Sequence, residues 1–255
     1  PEHNSNRWAE GLRDRMTEEQ RTRWDAVYRP VSAAFSASPP TGPDLVRWKY
    51  RRYMEDYLRS IRSIDDNLGR LLAYLEESGL ADNTVIIFTG DNGFYLGERG
   101  LAGKWYAHEE SMRVPLLAYI PGLDEPGRVV EEIAAGIDIG PTVLDIAGAR
   151  EMPEQFEGQS LLPLAMGDTP ADWRDDLLYE YYWEFNYPMT PTTFALRTEQ
   201  FKLIQYHGIW DIEELYDVQN DPQEMNNLID DPASRAVTLK NGMLTPNTLS
   251  DIEIA

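Results

Sequence analysis

Between residues 44 and 79 apolar side chains recur at intervals of three and four: Met54, Tyr57, Leu58, Ile61, Ile64, Leu68, Leu71, Leu72 and Leu75. That spacing collects them on one stripe, which predicts a long helix from Asp44 to Gly79 with the stripe against a sheet. Gly79 suits the left-handed turn that ends such a helix. The period then changes. Val85, Ile86, Ile87 and Phe88 form a short continuous run of β-branched and aromatic residues, the pattern of a strand covered on both faces. With Leu80-Ala81-Asp82-Asn83 as the turn between them, helix and strand predict an αβ unit of a parallel sheet. A second apolar run, Leu116 to Ile120, closes at Pro121-Gly122.

The flanking segments are plainer. Upstream, Trp8, Leu12 and Met16, then Trp24, Val27 and Tyr28, give short helical periodicities, with Thr17 placed as a helix cap. His3 reads as a surface residue near a chain end, and ASPPTGPD, Ala37 to Asp44, reads as a loop. Downstream, Glu131 to Ala149 predicts a connection and a helix whose apolar face holds Ile137, Ile139, Val143, Leu144 and Ile146, with Pro141 in its first turn. Asp138 is read as that helix's cap. From 171 to 230 the pattern alternates, predicting strands at Leu177 to Trp183, Thr193 to Arg197 and Phe201 to Tyr206. The aromatic set Tyr179, Tyr181, Tyr182, Trp183, Phe185 and Tyr187 is read as core between layers, with stacking on a sugar as its other use. Beyond Asp231 no pattern is assigned.

Composition narrows the class. Hydrophobic residues at 42% and aromatics at 11% of 255 residues are those of a globular protein, and no window holds the ~20 apolar residues of a membrane-spanning helix. A formal charge of −21 argues against nucleic acid, whose phosphates are held by Lys and Arg clusters. With no cysteine there are no disulfides and no thiolate metal sites. A start at Pro1 without methionine is read as a chain cut from something longer.

Candidate chemistry lies where the first apolar strand stops, at Thr89-Gly90-Asp91-Asn92-Gly93. Glycines on either side allow a tight turn that sets a carboxylate and an amide oxygen side by side. In an open α/β sheet, ligands bind at that end of a strand. Both groups offer the oxygen that hard divalent cations take, although a solvated turn uses the same residues. Lys104 follows a glycine-punctuated loop, ahead of HEESMRVP.

TVIIFTGDNGFYLGERG, GKWYAHEESMRVPL and EELYDVQNDPQEMNNL, in that order, resemble the second half of a type I sulfatase, in the alkaline-phosphatase-like superfamily. The resemblance implies an α/β fold with a sheet sandwiched by helices over residues 1–170, then a smaller antiparallel carboxyl-terminal subdomain over 171–255. It implies a Ca²⁺ ion, with Mg²⁺ as the alternative, held by Asp91 and Asn92 together with acidic residues of the amino-terminal half. It also implies that Lys104 contacts the sulfate and the formylglycine hydrate. The Cys- or Ser-x-Pro-x-Arg signature that yields formylglycine is absent, and Ser36-Ala37-Ser38-Pro39-Pro40 lacks the arginine. The nucleophile is therefore expected upstream, and the 255 residues alone are expected to be inactive.

Two positions depart from the family pattern: Arg99 stands where a histidine is common, and His108 where an aromatic is. His108 is taken as a substrate contact, against the plainer reading of a hydrogen-bonded surface histidine. His207, before Gly208-Ile209-Trp210, is taken as a second contact on a loop at the rim. Glu109, Glu110 and Arg113 read as a structural ion-pair set, and Asp65 and Asp66 as scaffold. The expected substrate is a sulfated small molecule or oligosaccharide, and Lys104 with the cation must reverse the acidic field locally. A phosphoester or phosphonate hydrolase of the same superfamily, and a non-catalytic acidic binding module, stand as alternatives. The family resemblance points to a periplasmic or extracellular setting.

Overall fold

A computed structural model of the chain describes residues 11–123, 127–149, 151–208 and 212–231. The readings of His3, Trp8, the Ile209-Trp210 loop tip and the segment after Asp231 lie outside the described residues. Two compact units are present, Pro1–Arg70 and Leu71–Ala255.

The first unit is helical. Helix α1 (Glu18–Ala37) begins at Thr17, whose hydroxyl accepts the Gln20 N–H at 3.2 Å while the Gln20 side chain accepts the Thr17 N–H at 2.9 Å. This reciprocal pair satisfies two of the donors a helix start leaves open. Helix α2 (Gly42–Glu77) fits the predicted span. It meets α1 through Phe35 and Trp48, whose ring centroids are 4.4 Å apart, and through the Tyr28 hydroxyl, which donates to Asp56 at 3.0 Å. Asp66 pairs with Arg62 at 2.8 Å on the exposed surface, which fits a scaffold role. Of its apolar stripe Leu58, Ile61, Ile64, Leu71 and Leu72 are exposed, and no residue of α2 is buried. Periodicity fixes which side of a helix is apolar; it does not supply the element that covers it.

In the second unit the central strand β1 (Ile86–Thr89) pairs with β4 (Leu116–Tyr119) in antiparallel register, Ile86 opposite Tyr119 and Thr89 opposite Leu116. The expectation of a parallel unit is therefore not met for this pair. The 26 residues between the two strands hold a short hairpin, β2 (Tyr95–Leu96) with β3 (Ala102–Gly103), and a four-residue helix α3 (Glu109–Met112). None of these is the long crossover that returns a strand in the same direction. Nor is β1 covered on both faces, since its apolar residues are half-buried and those of β4 exposed.

Helix α4 (Ile139–Ile146) follows with Pro141 in its first turn, and α5 (Leu162–Met166) lies beside it. Asp138 precedes α4 but does not cap it. Its buried carboxylate accepts the backbone N–H groups of Ala135 and Gln159 and a two-pronged bond from Arg174, so it ties three separated segments together. The last element is a four-stranded antiparallel sheet, β5 (Asp176–Tyr181), β6 (Thr192–Thr198), β7 (Phe201–His207) and β8 (Ile212–Asp217), in that spatial order. The ELYD segment is the end of β8. Six of the seven residues of β7 are buried, so both faces of this sheet are covered. Ile204, Tyr206 and Tyr216 pack on one side with Ala107, and Phe201, Leu203 and Leu215 on the other with Leu228 and Ile229. No described helix is long and apolar enough to cross a membrane.

Breaking the Asp138 anchor tests this account. In the full-length protein, Arg174→Met leaves a fully buried carboxylate without its cation, and stability falls by about 3–5 kcal/mol, read as a lower urea midpoint. A loss under about 1 kcal/mol would mean that the pair is only a surface ornament.

Candidate active site

The Asp-Asn turn is held by contact with α3. Gly93 donates its N–H to the Ser111 carbonyl at 2.8 Å, and a Cβ on it would come within 2.2 Å of the Glu110 carbonyl oxygen. Glycine is required there for close approach of two backbones. The turn closes on itself as well: Asp91 Oδ1 accepts the Asn92 N–H at 2.9 Å, and the Asn92 amide donates to Gly93 O at 2.6 Å. That orientation leaves Asn92 Oδ1 free to face Lys104, whose Nζ lies 2.6 Å away. Of the three residues expected from the sequence to share a site, the structure brings Lys104 to Asn92, with Asp91 beside Asn92 in the chain.

Lys104 sits on a loop suspended residue by residue from the antiparallel sheet. The Trp105 carbonyl accepts the Tyr179 hydroxyl at 3.1 Å, Tyr106 meets Tyr206 edge-on, and the Ala107 carbonyl accepts Lys202 Nζ at 3.0 Å. His108 Nδ1 bonds the Tyr95 hydroxyl at 2.8 Å and its Nε2 bonds Glu214 at 3.2 Å. The ring of His108 is buried and both nitrogens are engaged within the protein, which corrects the plainer reading of a surface histidine and leaves the expected substrate contact without a free ring nitrogen to make it. A histidine beside two glutamates leaves the surface because β8 supplies Glu214 from a distant part of the chain. His207 is exposed at the end of β7, its ring edge-on to Phe194, and is not joined to Lys104 by any described contact.

Glu109 anchors the loop's far end. Its carboxylate lies 2.5 Å from Lys202 Nζ and 3.2 Å from Arg197 Nε, while its N–H donates to Glu224 at 2.8 Å. The ion-pair set is therefore built with Lys202, Arg197 and Glu224, and Arg113 is exposed. Lys202 and Glu224 are both fully buried and 2.7 Å apart. Sequence reading missed Lys202, Glu224, Tyr95 and Arg197. One signal was available: Lys202 shares a strand face with Ile204 and Tyr206, and a lysine on an apolar period-two face must have a buried partner.

Local electrostatics follow this packing. Burial pushes the Tyr95 and Tyr206 phenols far up, helped by Glu110 and Glu214 respectively, so both stay protonated. Burial also raises the Glu214 carboxyl, but its contacts with His108, Tyr216 and Tyr206 outweigh that and hold it below the ordinary carboxylate range. At Glu109 burial again acts upward, and the Lys202 and Arg197 cations overcome it.

Asp91 and Asn92 suit a divalent cation in donor type. Both present hard oxygen, the Asp91 carboxylate is exposed, and an amide oxygen has two lone pairs, so the Lys104 contact uses one of them. Two donors make part of a coordination shell: Ca²⁺ takes about six to eight oxygens, and no group of three or more His, Cys, Asp and Glu stands in ligating position among the described residues.

Comparison with known proteins gives consistent matches. Residues 2–149 fit the family model described as Sulfatase, and residues 97–245 that of N-sulphoglucosamine sulphohydrolase, C-terminal. Over 219 residues the chain is 41% identical to an N-acetylglucosamine-6-O-sulfatase of Bacteroides thetaiotaomicron, covering 84% of this chain and 38% of that protein. Among solved structures, BT4656 in complex with its substrate D-glucosamine-2-N,6-O-disulfate gives a TM-score of 0.84 at 38% identity, covering 91% of this chain and 47% of that one. A phosphonate monoester hydrolase of Agrobacterium radiobacter gives 0.62 at 30% identity, with 71% and 38% covered. The chain spans about two-fifths of the length of the curated relative. Its architecture is that of the alkaline-phosphatase-like fold.

The Glu109 anchor has a pH signature. A carboxyl whose folded pKa is depressed stabilises the fold above its unfolded value of about 4.3, and that contribution fades as pH falls through the folded value. The difference in thermal midpoint between wild type and Glu109→Gln in the full-length protein is therefore greatest near neutrality and shrinks below about pH 4. A difference that stays constant down to pH 3 would contradict the charge-based account.

Proposed function

The chain belongs to the sulfatase family, and from that premise we propose that the full-length protein hydrolyses sulfate esters of carbohydrates, with a sulfated glucosamine residue as the favoured substrate. The observation that carries this reading is the Lys104 ammonium 2.6 Å from the Oδ1 of Asn92, the residue that follows Asp91. The glucosamine assignment is supported by the relatives, an N-acetylglucosamine-6-O-sulfatase and a protein solved with a glucosamine disulfate. Sulfatases as a family use formylglycine and a divalent metal. In this reading Asp91 and Asn92 would hold the cation, Ca²⁺ with Mg²⁺ as the alternative, and residues outside these 255 contribute the formylglycine. When bound, such a cation supplies positive charge that lowers the pKa of a neighbouring hydroxyl and attracts an anionic ester.

The chain's own residues act through position. Lys104 binds a sulfate oxygen and stabilises charge that grows on it as the ester bond breaks, and the ammonium is already in place before substrate arrives. Preplacement matters because these 255 residues carry −21, a field that repels anions. Asn92 serves two neighbours: its oxygen orients the lysine and its remaining lone pair is available to the cation. His108 is a positioning residue that links Tyr95 to Glu214 beneath the loop. In this reading the catalytic region runs to residue 170 and the carboxyl-terminal subdomain follows from residue 171, ahead of β5.

A second reading, phosphoester or phosphonate hydrolysis, is favoured by the match to the phosphonate monoester hydrolase. Parallel turnover of aryl sulfate and aryl phosphate by the full-length protein separates the two. Under the sulfatase reading the sulfate is cleaved with the greater kcat/KM, and the reverse order would replace it. In the same protein Lys104→Ala lowers kcat about 10²–10³-fold, and Asp91→Ala abolishes turnover that depends on added metal. Full activity in either variant removes that residue from the site.

A further inference from the structure

The turn joining β5 to β6 presents large apolar side chains to solvent. Trp183, Phe185 and Tyr187 are all exposed, Phe185 to 85%, and polar Glu184 and Asn186 alternate with them. The expectation of a core between layers fails for these three, whose rings remain exposed. One of them reaches the candidate site. The Tyr187 ring lies 4.5 Å from that of Trp105, the residue immediately after Lys104.

Trp105 is held in an unusual conformation. Its φ of +87° lies in a region that bulky residues rarely adopt, and such strain persists only where the surroundings impose it. Three contacts do so: the Tyr179 hydroxyl on its carbonyl, the Tyr187 ring on its indole, and Gly103, where a Cβ would sit 2.9 Å from the indole edge. The turn is also braced internally, with Trp183 Nε1 donating to the Pro188 carbonyl at 3.4 Å.

We propose that Trp105, Tyr187 and Trp183 form a platform on which a pyranose ring of the substrate stacks, beside the ammonium that holds its sulfate. A pyranose offers an apolar face of C–H groups rimmed by hydroxyls, and the turn offers aromatic faces interleaved with a carboxylate and an amide that bond hydroxyls. The platform rests on the sulfated-sugar reading and deepens it: affinity for the sugar comes from the antiparallel subdomain, apart from the charge that handles the sulfate.

The test uses the full-length protein with N-acetylglucosamine 6-sulfate and its unsulfated parent sugar as probes. Tyr187→Ala and Trp183→Ala each raise KM for the sulfated sugar about tenfold, the loss expected for one aromatic contact, with the change in KM exceeding that in kcat. Both weaken the change in tryptophan fluorescence produced by the unsulfated sugar, while Tyr187→Phe restores wild-type KM. Thermal midpoints establish that the variants fold. An unchanged KM in both alanine variants, or a loss confined to kcat, overturns the platform. Failure of the wild type to cleave any sulfated sugar instead overturns the functional reading on which it rests.

Discussion

The loop that carries Lys104 depends on one buried ammonium group. Lys202 is fully enclosed, and around its Nζ stand three oxygens: the Ala107 carbonyl, which accepts a hydrogen bond, and the carboxylates of Glu109 and Glu224, which pair with its charge. An ammonium denied water is tolerated only with such partners, so the loop cannot leave without exposing an uncompensated charge to an apolar interior. The cost of that separation, rather than the loop's own hydrogen bonds, keeps residues 103–109 against β7. Fixing the backbone at Ala107 and Glu109 fixes where Lys104 starts, and Asn92 fixes where it ends. Because Lys202 and Glu224 come from the antiparallel sheet and the segment after it, while Ala107 and Glu109 belong to the loop, that sheet supports the candidate site directly.

An acidic protein makes this arrangement necessary. With 44 acidic against 23 basic residues, a loose lysine near the surface has many carboxylates to visit. The fold avoids this by spending basic residues in pairs. Arg174 is committed to Asp138, Arg197 and Lys202 to Glu109, and Arg99 lies near Glu110 and Glu224. Lys104 faces an amide, which carries no formal charge, so its own charge is not neutralised. It remains attractive to an anion. An aspartate at position 92 would hold the lysine more tightly and cancel that charge.

The sequence was most legible where a single period governs the chain. Helix α2, strands β5 to β7 and the Asp91–Asn92 turn could be read from spacing, because burial of one face is a local property of consecutive residues. What covers that face is not local. The apolar stripe of α2 stays exposed, β1 pairs antiparallel, and His108 is buried by Glu214 more than a hundred positions away. The same limit applies to Glu109: its neighbours in sequence suggested Arg113, while its partners come from β6 and β7. Motif resemblance singled out Lys104 and spans Glu214 and Glu224, yet it gave no sign that these two reach His108 and Glu109, and Lys202, Arg197 and Tyr179 lie outside every motif.

The loop has two sides with different chemistry, and the division bears on specificity. On the buried side, charged groups are matched at hydrogen-bond distance and leave no freedom, which suits a group that must meet a transition state at one position. On the open side, Trp105 and Tyr187 offer flat apolar area with few directional demands, which suits a substrate whose substituents vary. Strain at Trp105 connects the two. Relaxing its φ would turn the Lys104 side of the peptide along with the indole, so a ligand pressed on the indole resists that relaxation.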